Sequence, residues 1–245
     1  TGLPNCREGR QNLIGSVTPR TIKLIAKRAE ELGYYSLWPN EFHTTFPGVR
    51  ERYQDPPTMF DVMVTMASVM AVTESIRVTP STLVLPYYEP ILLSRQLATL
   101  DQFSGGRVTL GVGLGGSAEE YRRLRGTLVK PNRGKMMDEF IEALRLLWTE
   151  RSATYHGKYV HFTDVETFPK PVQNPLPIYM AGHAEGALRR LAKYGQGWID
   201  SSELPESIEA NVERLKQYAA EAGRADVEFT IARQFYTSIP ETEEE

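Results

Sequence analysis

The sequence predicts an α/β protein of the TIM-type (β/α)8 barrel class, and three observations lead to this prediction. Short apolar segments rich in β-branched residues alternate with helical patterns at least six times along the chain. The strand-to-helix connection is of one type throughout, which favours a closed parallel barrel over an open sheet. The chain has 245 residues with 41% hydrophobic content, which is enough for one large core. We therefore expect a single barrel domain over residues 1–245, with an insertion at residues 151–175.

The composition argues against several classes of partner and site. A net charge of −3 argues against binding to nucleic acid or to an anionic membrane. Cys6 is the only cysteine and the four histidines lack metal-binding spacing, so neither a disulfide framework nor a metal site is expected. The sequence shows no signal peptide and no apolar run long enough to span a membrane. These features predict a cytoplasmic protein.

The first helix is predicted over residues 18–32. Thr18 is its N-cap, Pro19 takes the first helical position and Gly33 ends it. A strand over residues 34–38 follows and leads into the polar loop W-P-N-E-F-H-T-T.

A second helix is expected over residues 58–72, with Asp55 and Pro56 at its start. Its methionines repeat at helical spacing and predict a face that contacts the core or another subunit; they are Met59, Met63, Met66 and Met70. The next strand, residues 77–85, contains Pro80. Because proline cannot donate a hydrogen bond to a neighbouring strand, a bulge is expected there.

The most glycine-rich stretch follows a helix predicted over residues 90–103. Residues 107–110 are expected to form a short buried strand. The glycines after it would let the backbone approach a large flat group; they are Gly111, Gly113, Gly115 and Gly116. Ser117 is expected to cap the next helix, with Glu119 and Glu120 in its first turn. This stretch is interpreted as a cofactor floor, with a purely structural glycine turn as the alternative.

The same glycines also satisfy the G-x-G-x-x-G dinucleotide fingerprint. That fingerprint belongs to the first strand-to-helix turn, whereas at least three predicted strands precede it here. It also requires a strand ending in Asp or Glu about 20 residues further on, and that region is predicted to be helical. A dinucleotide-binding fold is therefore not the preferred interpretation.

The second half of the chain continues the alternation around one interruption. A helix is predicted over residues 132–148, followed by the aromatic and proline-rich insertion, which we expect to lie over one end of the fold. The remaining elements alternate regularly: strands over residues 178–181, 197–199 and 227–235, and helices over residues 185–194 and 205–222.

The end of the strand at residues 178–181 is a candidate phosphate site. Gly182, His183 and Ala184 connect it to a helix that begins at Glu185, and backbone N–H groups at a helix N-terminus attract anions. An ordinary glycine turn is the alternative. Glu185 is compatible with a bound phosphate only if its side chain points away.

The loop after the second strand carries candidate acid–base residues. His43 stands two positions after Glu41, in a loop that a barrel would place over its mouth. An imidazole there can move a proton near neutral pH, and a solvent-facing loop histidine is the alternative. His156 and His161 lie in the insertion and are expected at the surface.

Four segments of the chain carry a resemblance to a known family. They are G-Y-Y-S-L-W-P-N-E, T-L-V-L-P, L-A-T-L-D-Q-F-S-G-G-R-V-T-L-G-V-G-L-G and P-K-P-V-Q-N-P-L-P-I-Y-M-A-G. Together they resemble the bacterial luciferase-like monooxygenase superfamily, in the family's order and over essentially the whole chain. The resemblance implies a TIM-type barrel that binds FMN or the deazaflavin coenzyme F-420 at the carboxyl ends of its strands.

The resemblance also implies which residues form the site. The third strand of the family carries a bulge against the flavin, often with a non-proline cis peptide bond, and Ser81 and Thr82 match that place. The implied cofactor-binding residues are Asn40, Ser81, Thr82, Gly113, Leu114, Gly115, Met180, Ala181, Gly182, His183 and Ala184. The catalytic candidates are Glu41 and His43, which rest on their place in the loop and not on the resemblance. Many members have an acid followed directly by histidine, whereas Phe42 separates the two here.

The implied function is oxidation of a small organic substrate with O2 and reduced FMN, which a separate flavin reductase would supply. A deazaflavin-dependent hydride-transfer oxidoreductase on the same fold is the alternative, because the glycine segments do not discriminate between the two ring systems. A non-catalytic ligand-binding barrel is the alternative from another class. The polar mouth residues Asn40, Glu41 and His43 argue against it. A homodimer or a higher homo-oligomer is expected.

The strand count predicts that this chain lacks the last barrel strand. With residues 1–4 counted as one strand, seven strands are predicted, whereas a closed barrel of this type has eight. The acidic run after Pro240 is typical of the start of a helix. We therefore expect the native polypeptide to continue beyond Glu245 through one more helix and strand.

Overall fold

The computed structural model describes residues 2–3, 17–44, 59–116, 118–126, 132–200 and 205–233. Its strands are β1 (Gly2–Leu3), β2 (Ser36–Pro39), β3 (Arg77–Val78), β4 (Leu83–Val84), β5 (Leu110–Gly113), β6 (Ala153–His156), β7 (His161–Val165), β8 (Ile178–Ala181), β9 (Gly197–Asp200) and β10 (Thr230–Arg233). Its α-helices are α1 (Pro19–Glu31), α2 (Val62–Met70), α3 (Pro90–Ser104), α4 (Ala118–Arg125), α5 (Arg133–Thr149), α6 (Glu185–Tyr194) and α7 (Pro205–Glu221).

The parallel strands neighbour one another in the order of the chain. One group is β1–β2–β3 and the other is β4–β5–β8–β9–β10. An isolated parallel bridge between Val78 and Val108 connects the two groups, so that they form one series. Apart from β3 and β4, which flank an interruption of the third strand, successive strands of the series are separated in sequence by at least one helix, as in a (β/α) barrel. Among the described residues β1 and β10 do not pair, and the residues after Pro240 lie outside that set, so the additional helix and strand stay a prediction.

The first helix follows its sequence signals. The hydroxyl of Thr18 accepts the N–H of Thr21 at 3.1 Å, and the hydroxyl of Thr21 accepts the N–H of Thr18 at 2.8 Å. This reciprocal pair satisfies N–H groups that the helix itself leaves without partners. Pro19 begins the helix and Gly33 follows its end with φ of +76°. The predicted helix is confirmed.

The second helix begins later than predicted. Asp61 is its N-cap and accepts the N–H of Val64 at 2.9 Å, so the predicted start at residue 58 is wrong. Asp55 and Pro56 lie outside the described residues. Met59 precedes the helix, whereas the other three methionines of the stripe are buried in the core; they are Met63, Met66 and Met70. The core interpretation of the stripe is thus confirmed for these three.

The third strand is interrupted, as expected from Pro80. Strands β3 and β4 are separated by residues 79–82, and the peptide bond between Ser81 and Thr82 is cis. The predicted irregularity near Ser81 is confirmed. Strand β5 begins at Leu110 rather than at residue 107, so its predicted position is wrong.

The residues from Ile178 onward fold as predicted, with β8 and α6 at the predicted bounds. Strand β9 extends one residue beyond its prediction, to Asp200. Strand β10 is described over Thr230–Arg233, within the predicted range. The helices pack on the strands around one apolar core that includes Leu97, Ile141 and Trp198, each fully buried.

The insertion contains an antiparallel hairpin formed by β6 and β7. The Glu139 carboxylate of α5 holds its turn, because it accepts the N–H groups of Lys158, Tyr159 and Val160 at 3.1, 2.6 and 3.0 Å. His156 and His161 are exposed, as predicted. No helix within the described ranges combines the length and the apolar character that a membrane span requires.

Candidate active site at the carboxyl ends of the strands

A buried carboxylate joins the ends of two strands. The side chain of Glu41, which follows β2, is only 2% exposed. Its Oε2 accepts the N–H of Val84 in β4 at 2.5 Å, and its Oε1 accepts the hydroxyl of Tyr88. A buried carboxylate is tolerated only when hydrogen bonds replace its hydration. Glu41 therefore fixes the loop after β2 against the segment after β4.

His43 lies beside this carboxylate. Its Nε2 is 3.4 Å from Oε1 of Glu41, and its side chain is 27% exposed. The ring packs edge-on against Tyr87, with centroids 5.1 Å apart, and lies 6.2 Å from the ring of Tyr88. Glu41 and His43 thus lie in contact although Phe42 separates them in sequence, and their catalytic role stays a prediction.

The surroundings of His43 favour its protonated form. The hydrogen bond to Glu41 raises the pKa of His43 above its usual value of 6.5, burial opposes this, and the charges of Glu41, Glu120 and Asp61 raise it further. The imidazole therefore keeps its proton to a higher pH than a free histidine does.

Tyr87, Tyr88 and Glu120 belong to the same cluster but are not among the site residues that the sequence predicts. Glu120, in the first turn of α4, is 7% exposed. Its carboxylate accepts the N–H of His43 and the hydroxyl of Tyr87, both at 3.3 Å. The position of the two tyrosines directly after β4 could have indicated them, since barrel sites lie at strand carboxyl ends.

Both tyrosines are held in their protonated, hydrogen-bond-donating form. Burial raises the pKa of Tyr88, and the adjacent Glu41 carboxylate raises it further. Burial and Glu120 act in the same way on the pKa of Tyr87. Each hydroxyl can therefore serve as a fixed donor to its carboxylate.

The glycine stretch approaches another part of the chain itself. A Cβ on Gly111 would lie 2.0 Å from the Pro80 carbonyl oxygen, and one on Gly113 would lie 2.5 Å from Oγ1 of Thr82. Both glycines lie inside β5, whereas they were predicted to follow the strand. On these sides the space that the glycines leave is filled by the interrupted third strand.

Gly115 also lies close to other parts of the chain. Gly115 has φ of +74°, and a Cβ there would lie 2.9 Å from Cγ1 of Val84. Nη1 of Arg133 in α5 donates to the carbonyls of Leu114 and Gly115 at 3.0 and 3.1 Å. Ser117 lies outside the described residues, and α4 follows with Glu119 and Glu120 in its first turn as predicted.

The second predicted subsite is an open helix N-terminus. Ala184 is the N-cap of α6 and has no side chain that could cap it, and a Cβ on Gly186 would meet no atom of the described residues within 4 Å. Oε1 of Glu185 pairs with Nε of Arg189 at 2.8 Å, so its side chain is turned along its own helix. No described side chain caps this first turn, although the N–H of Ala187 donates to the carbonyl of Ala184 at 2.9 Å, and a helix N-terminus of this kind attracts anions.

The other predicted residues differ in exposure. Asn40, Ser81, Thr82 and Ala181 are half-buried, and His183 and Ala184 are exposed. Met180 is 2% exposed and belongs to the apolar core, and its predicted contact with a cofactor stays a prediction. Gly182 has φ of +106°, and its carbonyl accepts Nε1 of Trp198 at 2.9 Å.

Comparisons with known proteins agree with this fold. A family model described as luciferase-like monooxygenase matches residues 4–245. An uncharacterized protein of Mycobacterium tuberculosis (strain ATCC 25618 / H37Rv) is 34% identical over 211 residues, which cover 82% of this chain and 72% of that protein. An FMNH2-dependent dimethylsulfone monooxygenase of Pseudomonas putida is 33% identical over 180 residues, which cover 73% of this chain and 48% of that enzyme.

Solved structures share the α/β architecture. A structure described as an F420-dependent secondary alcohol dehydrogenase in complex with an F420-acetone adduct superposes with a TM-score of 0.75 at 23% identity. The match covers 88% of this chain and 64% of that one, so the chain spans less than two thirds of the solved protein. The likeness at this identity concerns the fold.

Proposed function

Because the chain belongs to the luciferase-like monooxygenase family, we propose that it oxidises a small organic substrate with O2 and reduced FMN. The observation that carries this proposal is the cluster of Glu41, His43 and Tyr88 at the carboxyl ends of β2 and β4. The choice of FMN is supported by the 33% identical relative that is named as FMNH2-dependent. Since the chain spans 48% of that enzyme, its substrate is not carried over.

Two parts of the chain support the binding of an FMN-like group. The open N-terminus of α6, with Gly182 before it and Gly186 inside it, would hold the phosphate through backbone N–H groups and the helix dipole. Ser81, Thr82 and the segment from Gly113 to Gly115 would lie against the ring. Bound reduced FMN would supply the electrons for the reaction with O2.

The protein's own contribution at the mouth is proton transfer and orientation. His43, with its raised pKa and partly exposed ring, would donate or accept the proton at Nδ1, because its Nε2 faces Glu41. Glu41 accepts hydrogen bonds from Val84 and Tyr88 and lies against His43. We therefore propose that Glu41 orients the imidazole and does not itself carry a proton. Tyr88 fixes the carboxylate.

Two alternatives are carried from the family and the fold. A deazaflavin-dependent hydride transfer would use the same proton-transfer cluster, and the F420-dependent structural neighbour shares the fold at 23% identity. A non-catalytic ligand-binding barrel is less well supported. A passive binding site has no need for a buried carboxylate in contact with an imidazole, an arrangement that costs desolvation energy.

Anaerobic titration with each reduced cofactor tests the proposal. We expect reduced FMN to bind at least about tenfold tighter than reduced coenzyme F-420, a difference of about 1.4 kcal/mol in binding free energy. Oxygen uptake on adding small sulfones, sulfides or ketones would then identify the substrate class. Tighter binding of reduced coenzyme F-420, with no oxygen uptake, would establish the hydride-transfer alternative.

The proposed enzyme depends on partners. A separate flavin reductase would supply reduced FMN, and the protein would act as a homodimer or a higher homo-oligomer. Sedimentation of the purified protein measures the oligomeric state directly, and a stable active monomer would contradict it.

A further inference from the structure

A second carboxylate, from a different element, also contacts His43. Glu120 lies in α4, far from Glu41 in sequence, and is 7% exposed. Its Oε1 accepts the main-chain N–H of His43 at 3.3 Å. The loop after β2 thus has two carboxylate contacts. Glu41, in the loop itself, contacts the imidazole of His43, and Glu120 of α4 contacts the main chain of His43.

Tyr87 connects this second carboxylate to the imidazole. Its hydroxyl donates to Oε2 of Glu120 at 3.3 Å, while its ring packs edge-on against His43. The Tyr87 ring also stacks on the ring of Tyr121, the residue after Glu120, with centroids 5.7 Å apart. Helix α4 therefore fixes Tyr87 through both a hydrogen bond and an aromatic contact.

Helix α4 is itself tied to neighbouring segments. Nη2 of Arg125 donates to the carbonyls of Pro86 and Tyr88 at 2.9 and 3.0 Å. The Arg133 guanidinium, which donates to the carbonyls of Leu114 and Gly115, also lies 6.0 Å above the Tyr121 ring. The helix thus has fixed partners on the loop after β4 and on α5.

We propose that Glu120 is a positioning residue for His43: it holds the His43 main chain through its N–H and orients Tyr87 against the imidazole edge. The loop after β2 and the helix after β5 then act as one unit at the mouth of the barrel. An effect of Glu120 on turnover rests on the proposed function, because it presumes that His43 moves a proton. The role of Glu120 in positioning His43 does not depend on the proposed function.

The charge of Glu120 gives the proposal a direct readout. Among the described residues, the charged and titratable groups that face His43 are Glu41, Glu120, Asp61, Tyr87 and Tyr88. Removing one of these negative charges destabilises the imidazolium. Glu120→Gln should therefore lower the pKa of His43 by roughly half a unit or more, measured by NMR titration of the imidazole C–H resonance in cofactor-free protein.

Glu119 provides the matched control. It precedes Glu120 in the same helix, carries the same charge and pairs with Arg122 and Arg123 instead of with the cluster. Glu119→Gln should leave the pKa of His43 within about 0.1 unit of the wild type, because exposed charges are screened. Equal shifts in the two variants, or no shift in Glu120→Gln, would overturn the proposal.

A second variant guards against a folding defect in Glu120→Gln. Tyr87→Phe leaves both carboxylates in place and removes only the hydroxyl donor. Loss of that hydrogen bond, about 1 kcal/mol, should raise amide exchange at His43 about fivefold. Exchange within twofold of the wild type would overturn the role of Tyr87 in the unit.

Activity measurements separate this proposal from the proposed function. With reduced FMN and a substrate, Glu120→Gln should lower kcat and move the alkaline limb of its pH profile downward, with KM for FMN changed less than twofold. If no turnover with any cofactor is found but the NMR shift and its control behave as stated, the proposed function fails while the positioning role of Glu120 stands.

Discussion

At the residue scale, the buried carboxylate of Glu41 contacts three parts of the candidate site. It accepts a main-chain N–H from β4 and a tyrosine hydroxyl, and it lies against the imidazole of His43. Each of these contacts removes an orientation that a solvent-exposed glutamate would be free to adopt. The exposed part of the cluster is instead the His43 ring, which is the part that a substrate could reach.

The first prediction concerns this division of roles. His43→Ala should lower kcat by roughly 10²-fold, as expected on loss of a general acid–base residue. Glu41→Gln should lower the pKa of His43 and shift the pH profile downward, because the neutral amide no longer stabilises the imidazolium. Steady-state kinetics across pH 5–9, roughly the range over which a histidine titrates, measure both effects. A loss below twofold in His43→Ala would make His43 an ordinary loop residue.

A second residue-scale prediction concerns Gly113. Gly113→Ala should destabilise the protein by about 1–3 kcal/mol, because the added Cβ would lie 2.5 Å from Oγ1 of Thr82. Thr82→Ala removes that oxygen and leaves the Thr82 Cβ 3.5 Å away, so the double variant should recover much of the loss. Denaturant unfolding of the two single variants and the double variant measures the coupling energy.

Gly116→Ala is the control for this cycle, since a Cβ there would meet none of the described atoms within 4 Å. It should change the free energy of unfolding by less than about 0.5 kcal/mol. Strictly additive effects of the Gly113 and Thr82 substitutions would contradict the steric explanation.

At the element scale, the sequence predicts most helices and strands because their signals are local. Thr18, Pro19 and Gly33 mark the first helix, and Asn132 caps α5 through its contact with the Lys135 N–H. The position of β5 could not be predicted in this way. Its register depends on pairing with β4 and β8, and Gly111 and Gly113 belong to the strand because the interrupted third strand packs against them.

The same distinction between local signals and long-range packing applies to the candidate site. Glu41 and His43 are neighbours in sequence and follow a predicted strand, so their proximity could be predicted. Glu120 reaches His43 across 77 sequence positions, and such a contact depends on how helix α4 packs on the strand ends. No local pattern in the sequence encodes that packing.

A third prediction concerns the connection between α1 and the turn before β3. Glu30 accepts the N–H groups of Glu74, Ser75 and Ile76 at 2.9, 2.6 and 2.9 Å. Burial opposes its ionisation, but these hydrogen bonds outweigh it and lower the pKa of Glu30 from 4.5 to about 2. Because the folded pKa is depressed, the stabilising contribution is complete above pH 4.5 and is lost as the pH falls toward 2.

Glu30→Gln should therefore lower the midpoint of urea unfolding at pH 6, and the difference from the wild type should shrink as the pH falls through this window. Glu31→Gln is the matched control, because Glu31 is exposed and pairs only with Arg28 among its described contacts. A difference between wild type and Glu30→Gln that does not depend on pH would contradict the assigned linkage.

At the scale of the whole molecule, the described strands form a parallel series with helices between them, and both candidate subsites lie at strand carboxyl ends. The acid–base cluster follows β2 and β4, and the open helix N-terminus follows β8. In a (β/α) barrel these ends face the same side. A ligand with a reactive ring and a phosphate could therefore use both subsites, and its binding would stabilise the folded state as a whole.

The last prediction tests this link through the phosphate. FMN at about 100 times its Kd should stabilise the protein by about 2.7 kcal/mol, which for a domain of this size corresponds to a rise in Tm of roughly 5–10 °C.

Gly186→Asp should abolish this rise, because a carboxylate at the N-terminus of α6 repels the phosphate. The variant should keep or slightly increase the Tm of the cofactor-free protein, since a Cβ on Gly186 meets no atom of the part of the chain that the structure describes within 4 Å and an acidic residue suits a helix N-terminus. Gly186→Ala should retain the FMN effect, and riboflavin, which lacks the phosphate, should bind wild type and Gly186→Asp equally. An undiminished rise in Tm with FMN in Gly186→Asp would show that the phosphate binds elsewhere.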